Sequence, residues 1–302
     1  MAKKALVIGS LGNIGKPLTV HLKNLGYEVL EVDFKPAWRE GYLMADINQA
    51  LDLIPAFDWK PDYVFMLSAM VSRVTCEQAS AMAVETNLVG LNNVIQMTKN
   101  IDAKLIYFST SEVYGPELEW MDEETSQPKP NNRYGLTKLL GESLVEYEVE
   151  QYGMKAVTLR PFMMYDENED LGDHRSAMVR FAYNLSHGEP IEVHRGSARG
   201  WFHVSDAINS IERAAHTEEY SVINIGSPDI RSIDELAEMI RKELGADEDL
   251  INYIDIPGRM TLEKNPNLDR QRDILGVEPK VKLEEGVKLI CDRMRELVRL
   301  GL

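Results

Sequence analysis

The first half of the chain alternates between short strand-like apolar runs and longer stretches whose apolar residues recur at helical spacing. The predicted strands cover residues 5–8, 27–33, 63–67, 104–108 and 156–160. The predicted helices between them are one that ends at Leu25, then 79–99 and 134–152. This alternation is typical of an α/β fold with a Rossmann-like, doubly wound parallel sheet covered by helices on both faces. Ligands of such a sheet bind at the carboxyl ends of its strands.

The pattern changes after the fifth predicted strand. An acidic loop over 165–173 leads into a helix over 175–185, and short strands and helices end in an amphipathic helix over 283–298. We therefore expect a first domain of residues 1–163 and a smaller C-terminal lobe of residues 164–302 that closes over it. Strands of the second half can return to the main sheet.

Three glycines follow the first strand at the spacing G-x-x-G-x-x-G, namely Gly9, Gly12 and Gly15. Glycine permits a tight turn and a close backbone approach to a pyrophosphate, and the next helix offers unpaired N–H groups to phosphate. The second strand ends in Asp33, where the dinucleotide fingerprint places a ribose-binding carboxylate. No arginine follows Asp33, which favours NAD over NADP, whereas Lys35 argues the other way. The alternative is a glycine turn in an ordinary βαβ unit.

Two polar residues near this loop have two interpretations each. Asp46 either reaches the adenine of a dinucleotide or caps the helix that follows it. Lys16, in the first turn of the glycine-loop helix, either helps to hold phosphate or is a solvated surface lysine.

Composition narrows the classes of partner. The chain has 302 residues, is 44% hydrophobic and carries a net charge of −16, which argues against nucleic acid or an anionic membrane. The acid-rich helical stretch 142–150 is interpreted as a solvated face. Cys76 and Cys291 are far apart and have no metal-ligand companions, so we expect a reducing cytoplasm, no disulfide and no metal. No apolar run approaches the ~18 residues of a membrane span, and no signal peptide is expected.

Tyr134 and Lys138 are the strongest catalytic candidates. At i and i+4 of a predicted helix they share one face. An ammonium near a phenol lowers the pKa of the phenol, and a phenolate can take the proton of an alcohol while a nicotinamide takes the hydride. Alone the pair is weak, because the chain has 12 tyrosines.

The fourth strand becomes polar at its carboxyl end, in Ser109-Thr110-Ser111-Glu112. The Thr110 hydroxyl could hydrogen-bond the oxygen whose proton Tyr134 removes, and Glu112 could act as a general acid or base on the neighbouring carbon. The alternative is a Ser/Thr turn with a solvated glutamate.

Together these motifs resemble the extended short-chain dehydrogenase/reductases of the nucleotide-sugar epimerase/dehydratase family, in an order that covers nearly the whole chain. The segments that carry the resemblance are 9–15, 67–69, 85–94, 109–115, 134–138, 159–162, 199–206 and 224–227. The resemblance implies a tightly held NAD that oxidises the sugar at C4 through Tyr134, Lys138 and Thr110. The 4-keto sugar is then re-reduced, or first loses water or carbon dioxide.

Position by position, the resemblance implies roles for individual residues. Ser111 and Glu112 would modulate the steps after oxidation, and a Thr-x-Glu is more similar to dehydratases and UDP-glucuronate decarboxylases than to the plainest epimerases. The implied cofactor-binding residues are Gly9, Leu11, Gly12, Asn13, Ile14, Gly15, Asp33, Phe34, Asp46, Ile47, Leu67, Ser68, Ala69, Asn87, Tyr134, Lys138, Pro161 and Phe162.

The substrate side of the resemblance includes both matches and departures. Arg199 and Arg259 match arginines that bind the nucleotide diphosphate, for which a guanidinium is a natural bidentate partner; the alternative for each is a surface salt bridge. Met163 stands where the family usually has an asparagine that contacts the substrate, and Met66 replaces a polar residue. Both departures make the pocket more apolar.

Three hypotheses follow. The first is an NAD-dependent enzyme that acts on a nucleotide-diphosphate sugar as an epimerase, dehydratase or decarboxylase. The second is a net oxidoreductase of a small alcohol or ketone, and the third is a non-catalytic dinucleotide-sensing module. The resemblance also implies a homodimer that pairs the helices 79–99 and 132–152 in a four-helix bundle.

Overall fold

The computed structural model describes residues 2–116, 120–171, 176–255 and 263–301. The strands are β1 Lys4–Ile8, β2 Glu28–Asp33, β3 Tyr42–Met44, β4 Tyr63–Met66, β5 Lys104–Phe108, β6 Ala156–Pro161, β7 Met164–Tyr165, β8 Ile191–His194, β9 Ala198–Gly200, β10 Phe202–His203, β11 Val222–Ile225, β12 Ile230–Ser232, β13 Ile251–Ile254 and β14 Glu263–Lys264. The helices are α1 Gly15–Asn24, α2 Ala50–Asp58, α3 Arg73–Gln78, α4 Ser80–Val84, α5 Leu91–Asn100, α6 Arg133–Tyr152, α7 Ala177–Ser186, α8 Val204–Ala214, α9 Ile233–Leu244, α10 Asp269–Asp273 and α11 Leu283–Leu300.

The central sheet confirms the predicted fold class. Seven parallel strands lie in the order β11-β6-β5-β4-β1-β2-β3, and β11 returns to this sheet from the second half of the chain. Successive residues of a strand face opposite sides, so Val7 packs into a core with α1 and α8, whereas Leu6 packs into a core with α2, α5 and α6. Each face of the sheet is therefore covered, as a continuous apolar strand requires.

A further core lies in the second half of the chain. Phe181 of α7, Leu236 of α9 and Ile290 of α11 are buried together, beside Ile191 of β8 and Ile251 of β13. The strands of this half form small sheets, β10-β7, β12-β9-β14 and β13-β8. In the ranges that the structure describes, no helix is both long and apolar enough to cross a bilayer.

The helix predicted over 79–99 is interrupted. It comprises α4, a π-helical segment at Glu85–Gly90, and α5. Asn87 of this segment accepts a hydrogen bond from the Met70 amide and donates to the Met70 carbonyl and to Thr137 Oγ1. The widened turn thus ties the loop after β4 to α6, and π turns are often found at functional sites.

Gly141 sets how closely α6 approaches the sheet. A Cβ atom placed on Gly141 would lie 2.2 Å from the Tyr107 hydroxyl of β5. We expect Gly141→Ala to lower the free energy of unfolding by about 1–3 kcal/mol through overpacking. Denaturant unfolding measures this loss, with the exposed Ser143→Ala on the same helix as control. Equal stability of the two variants would contradict the close packing.

Candidate active site

Two cavities adjoin at the carboxyl ends of the central strands. One, of about 350 Å³, is lined by the glycine loop, Asp33 and Phe34. The other, of about 300 Å³, is lined by Thr110, Tyr134 and Lys138 among others. They share four lining residues, Ile14, Leu67, Ala69 and Val71. The two cavities therefore form one continuous cleft at the edge where a doubly wound sheet binds its ligands.

The glycine loop lies close to the neighbouring strand end. Gly9 has a φ of +91°, and a Cβ atom on it would lie 2.8 Å from the Ser68 amide nitrogen. A Cβ atom on Gly15 would lie 2.1 Å from the Gly9 carbonyl oxygen. No side chain caps the N-terminus of α1 among the described residues, and its first residue, Gly15, lines the cleft. This cradle fits a dinucleotide pyrophosphate.

Asp33 is held at the end of β2. Its carboxylate accepts hydrogen bonds from the amides of Leu11, at 3.0 Å, and Lys35, at 3.2 Å. It is 7% exposed and lines the cleft. A carboxylate fixed in this way can receive ribose hydroxyl groups. Lys16 forms an ion pair with Asp170 of the acidic loop, at 3.3 Å, and both side chains are about half exposed.

The structure separates the predicted cofactor residues into two groups. The residues that line the cleft are Gly9, Leu11, Gly12, Asn13, Ile14, Gly15, Asp33, Phe34, Leu67, Ser68, Ala69, Tyr134, Lys138, Pro161 and Phe162. Asp46, Ile47 and Asn87 do not line it. Asp46 accepts the Asn48 amide, whereas Gln49 is the N-cap of α2, so the interpretation of Asp46 as the helix cap is wrong. Ile47 and Asn87 are buried.

Tyr134 and Lys138 lie on the first turns of α6, which the Asn132 side chain caps by accepting the Gly135 amide at 2.9 Å. Burial raises the pKa of the Tyr134 phenol well above its usual range, although a hydrogen bond with Thr110 lowers it. The Lys138 ammonium donates to the Phe108 carbonyl at 2.5 Å. Burial lowers the pKa of Lys138 to about 7, against the opposing effect of Glu142.

These pKa shifts differ from the expectation drawn from the sequence. The i, i+4 spacing predicted an ammonium that lowers the pKa of the phenol, but burial of both groups has the larger effect. Burial disfavours the charged form of each group, so in this structure it opposes both the ammonium and the phenolate. The i, i+4 spacing predicts that Tyr134 and Lys138 share one face of the helix. It does not predict how deeply the two side chains are buried.

Thr110 follows β5, and its hydroxyl accepts the Glu112 amide at 3.2 Å. Ser111 and Glu112 begin a single turn of 3₁₀ helix, and both line the cleft. The Glu112 carboxylate accepts hydrogen bonds from Lys264 and from Asn132, the latter at 2.9 Å, and lies 3.7 Å from the Arg73 guanidinium.

These partners keep Glu112 ionised. Burial alone would raise the pKa of Glu112, but Lys264, Arg73 and Asn132 together lower it to about 2. At neutral pH Glu112 is therefore a paired carboxylate and has no proton to donate as a general acid. The alternative of a solvated glutamate is wrong, because the Glu112 side chain is 19% exposed and pairs with Lys264.

Lys264 is a charged cleft residue that the sequence analysis did not predict. It lies on β14, in the second half of the chain, and its ammonium is 3.1 Å from Ser111 Oγ. It is 6% exposed, and burial lowers its pKa despite the neighbouring Glu112 carboxylate. No motif contains Lys264, so only the pairing of β14 with β9 brings it to the cleft.

We expect Glu112→Gln to lower the free energy of unfolding at neutral pH by about 3 kcal/mol, because it leaves the Lys264 ammonium buried without its carboxylate. The pKa of Glu112 falls from 4.5 to about 2 on folding. The stabilisation by this carboxylate is therefore complete above pH 4.5 and is lost as the pH falls towards 2. Urea unfolding at successively lower pH should show the gap between wild type and variant narrowing over this range. A gap independent of pH would contradict the ion pair.

A buried polar network lies beneath the catalytic candidates. The Arg160 guanidinium donates to Glu142 at 2.7 Å and to the Tyr114 hydroxyl at 2.9 Å, and Tyr114 donates to Asn224 at 2.8 Å. Ser109 donates to the same Glu142 carboxylate. The prediction that 142–150 is a solvated face is thus wrong for Glu142. It also fails for Glu148, which is buried and accepts Gln96 and Lys99.

The substrate-side predictions divide similarly. Arg199 lies on β9 and donates to the Ala198 carbonyl at 2.6 Å. It is 9% exposed, so it is not the surface residue that the alternative required. It does not line the two cavities. Met163 lines the second cavity. Arg259 lies outside the described residues. Cys76 and Cys291 are both buried and free.

Comparison with known proteins gives a family and a fold. The family model described as "NAD dependent epimerase/dehydratase family" matches residues 5–226. The UDP-glucuronic acid decarboxylase 6 of Arabidopsis thaliana is 27% identical over 248 residues, which cover 80% of this chain and 71% of that protein. The UDP-N-acetyl-alpha-D-glucosaminuronate decarboxylase of Bacillus cytotoxicus is 26% identical over an alignment of 330 positions, gaps included. That alignment covers 98% of this chain and 99% of that protein.

Solved structures share the whole fold. The UDP-glucose 4-epimerase of Thermotoga maritima, solved with UDP-glucose, has a TM-score of 0.90 at 24% identity and covers 98% of this chain and 99% of its own. MoeE5 in complex with UDP-glucuronic acid and NAD has a TM-score of 0.86 at 22% identity and covers 99% and 100%. At these identities the likeness is one of fold.

Proposed function

The chain belongs to the NAD dependent epimerase/dehydratase family, and from that premise we propose that it modifies a nucleotide-diphosphate sugar by transient oxidation at C4. The observation that supports this proposal most is the placement of Thr110, Tyr134 and Lys138 in one cavity that continues into the glycine-loop cavity. When bound, the nicotinamide of NAD accepts the hydride.

The residues of the chain would do the remaining work. Thr110 and Tyr134 would hold the C4 hydroxyl between them, and Tyr134 would take its proton as the hydride leaves. Lys138 would supply positive charge next to Tyr134 and so favour the phenolate that accepts this proton. Asp33 would hold the adenosine ribose, and the amides after Gly12 the pyrophosphate. Arg199 and Arg259 would bind the substrate diphosphate from the C-terminal lobe, residues 164–302.

A decarboxylating outcome is the second candidate, because of the cluster of Lys264, Ser111 and Glu112 next to Thr110. A cation and a hydroxyl at this position could orient the carboxylate of a uronic acid sugar. Once C4 is a ketone, the sugar is a β-keto acid. The bond between C5 and the carboxylate carbon then breaks, carbon dioxide leaves and the electron pair passes to the ketone. The two curated relatives described above are named as decarboxylases.

The test is to incubate the NAD-loaded protein with UDP-, GDP-, CDP- and dTDP-sugars, including uronic acid forms, and to determine product masses. Loss of carbon dioxide, loss of water or isomerisation at constant mass identifies the decarboxylase, dehydratase or epimerase. Stoichiometric accumulation of reduced nicotinamide would favour the net oxidoreductase instead. No turnover with any sugar, together with tight NAD binding, would favour the dinucleotide-sensing module.

A homodimer belongs to the proposal. Exposed apolar side chains lie along α4, the π-helical segment and α6, where the predicted four-helix bundle would form: Met82, Val84, Val89, Leu136, Leu140 and Tyr147. Apolar surface of this kind marks an interaction site. Light scattering should give the mass of two chains, and the mass of one chain would reject the pairing. The free cysteines are compatible with the proposed cytoplasmic location.

A further inference from the structure

A second concave surface lies at the amino-terminal edge of the central sheet, opposite the cleft. It is a cavity of about 540 Å³ beside the first residues of β4 and β5 and the residue before β6. Four lysines line it, in a chain whose net charge is −16: Lys3, Lys60, Lys104 and Lys155. We call this surface the amino-edge pocket. The proposed function does not use it.

Lys104 is the central group of the amino-edge pocket. It is the first residue of β5 and is 8% exposed. Its ammonium donates to the carbonyl and to the hydroxyl of Thr217, the latter at 2.8 Å. Both partners are neutral, and no carboxylate of the described chain lies within the 4.0 Å of an ion pair. A buried charge without a counter-ion is costly. Its burial is also what lowers the pKa of Lys104, to about 8.

The two aspartates that line the pocket interact with other groups and not with Lys104. Asp102 pairs with Lys155 at 2.6 Å. Asp62 accepts the Lys4 amide at 2.8 Å and lies 4.0 Å from the Lys3 ammonium. Neither neutralises Lys104, so the pocket keeps a local excess of positive charge.

The rim of the pocket contains two residues with a left-handed backbone conformation, which residues other than glycine rarely adopt. Lys60 has a φ of +55° and Asp102 a φ of +57°. Such backbone carries a modest energetic cost and is often found at ligand sites. Lys60 is exposed and lines the pocket from the end of the segment that precedes β4.

We propose that the amino-edge pocket binds a phosphate-type anion, either inorganic phosphate or a small phosphomonoester, with its oxygens on the ammonium groups of Lys104 and Lys60. The anion would supply the counter-charge that the chain itself does not give Lys104, through charge-assisted hydrogen bonds. The cavity is larger than one phosphate group, so the organic part of an ester has room next to Tyr63.

Calorimetric titration of the NAD-loaded protein with inorganic phosphate tests the proposal. We expect saturable binding that Lys104→Met and Lys60→Gly each weaken about tenfold or more, which corresponds to about 1.4 kcal/mol. Lys60→Gly preserves the left-handed backbone and guards against misfolding of the Lys104 variant. The matched control is Lys288→Met, an exposed lysine of α11, and it should bind phosphate like wild type.

Thermal unfolding gives an independent readout. Phosphate should raise the melting temperature of wild type and of Lys288→Met but not of Lys104→Met. Tighter binding of glycerol phosphate than of inorganic phosphate would identify an ester as the ligand, and equal or weaker binding would identify the free ion. Absence of saturable binding, or unchanged binding in both Lys104→Met and Lys60→Gly, would overturn the proposal.

Discussion

Tyr134→Phe should reduce turnover by a factor on the order of 10² to 10⁴, the range expected when a positioned acid/base group is removed. Tyr134 lines the cleft together with Thr110, where its phenolate can receive a substrate proton. Phenylalanine keeps the ring and its packing but cannot accept a proton. NAD binding should therefore be retained, because the glycine loop and Asp33 are unchanged.

The matched control is Tyr152→Phe, at the exposed end of the same helix, 60% exposed. It should turn over at the wild-type rate. The measurement is a single-turnover rate with bound NAD quantified in each variant. Full activity in Tyr134→Phe would assign proton transfer to another group, whereas loss of activity together with loss of NAD would indicate a structural role.

Lys138→Met should have the second largest effect, also on the order of 10². A cation next to a buried phenol favours the phenolate, so its removal raises the pKa of Tyr134 further. The pH profile of kcat/KM should therefore move to higher pH, and the deficit should be largest at neutral pH. A variant that merely loosened the fold would lower the rate without moving the profile.

Lys288→Met serves as the control for loss of a lysine, because Lys288 is exposed and lines neither of the two cavities. A Lys138→Met enzyme with wild-type kcat/KM across the pH range would show that the lysine charge does not act on the phenol. Lys138→Arg is expected to rescue little, because Lys138 is 3% exposed and the larger guanidinium does not fit without displacing its neighbours.

Sequence patterns predicted the parts of the molecule that depend on local geometry. The glycine spacing, the acid at the end of β2 and the i, i+4 pair in α6 each follow from backbone conformation, so they could be placed before the structure was known. Parallel strands then brought the ends of β1, β4 and β5 to one edge, which places Gly9, Ser68 and Thr110 along one cleft.

Long-range pairing could not be predicted in the same way. Lys264 contacts Glu112 although the two residues are 152 positions apart, and no sequence pattern links them. The acidic positions of α6 look alike in sequence, but Glu142 faces Arg160 while Glu146 is exposed. The pKa of Tyr134 depends on burial, which spacing does not report. Each of these cases turns on which side chains meet in the folded core.

The most direct test of transient oxidation at C4 uses a nucleotide sugar that carries deuterium at C4. Hydride removal from C4 and its return within one active site predict a slowed reaction and a product that keeps the deuterium bonded to carbon, with no reduced nicotinamide released. Deuterium found in solvent, or on reduced nicotinamide that leaves the protein, would contradict the account.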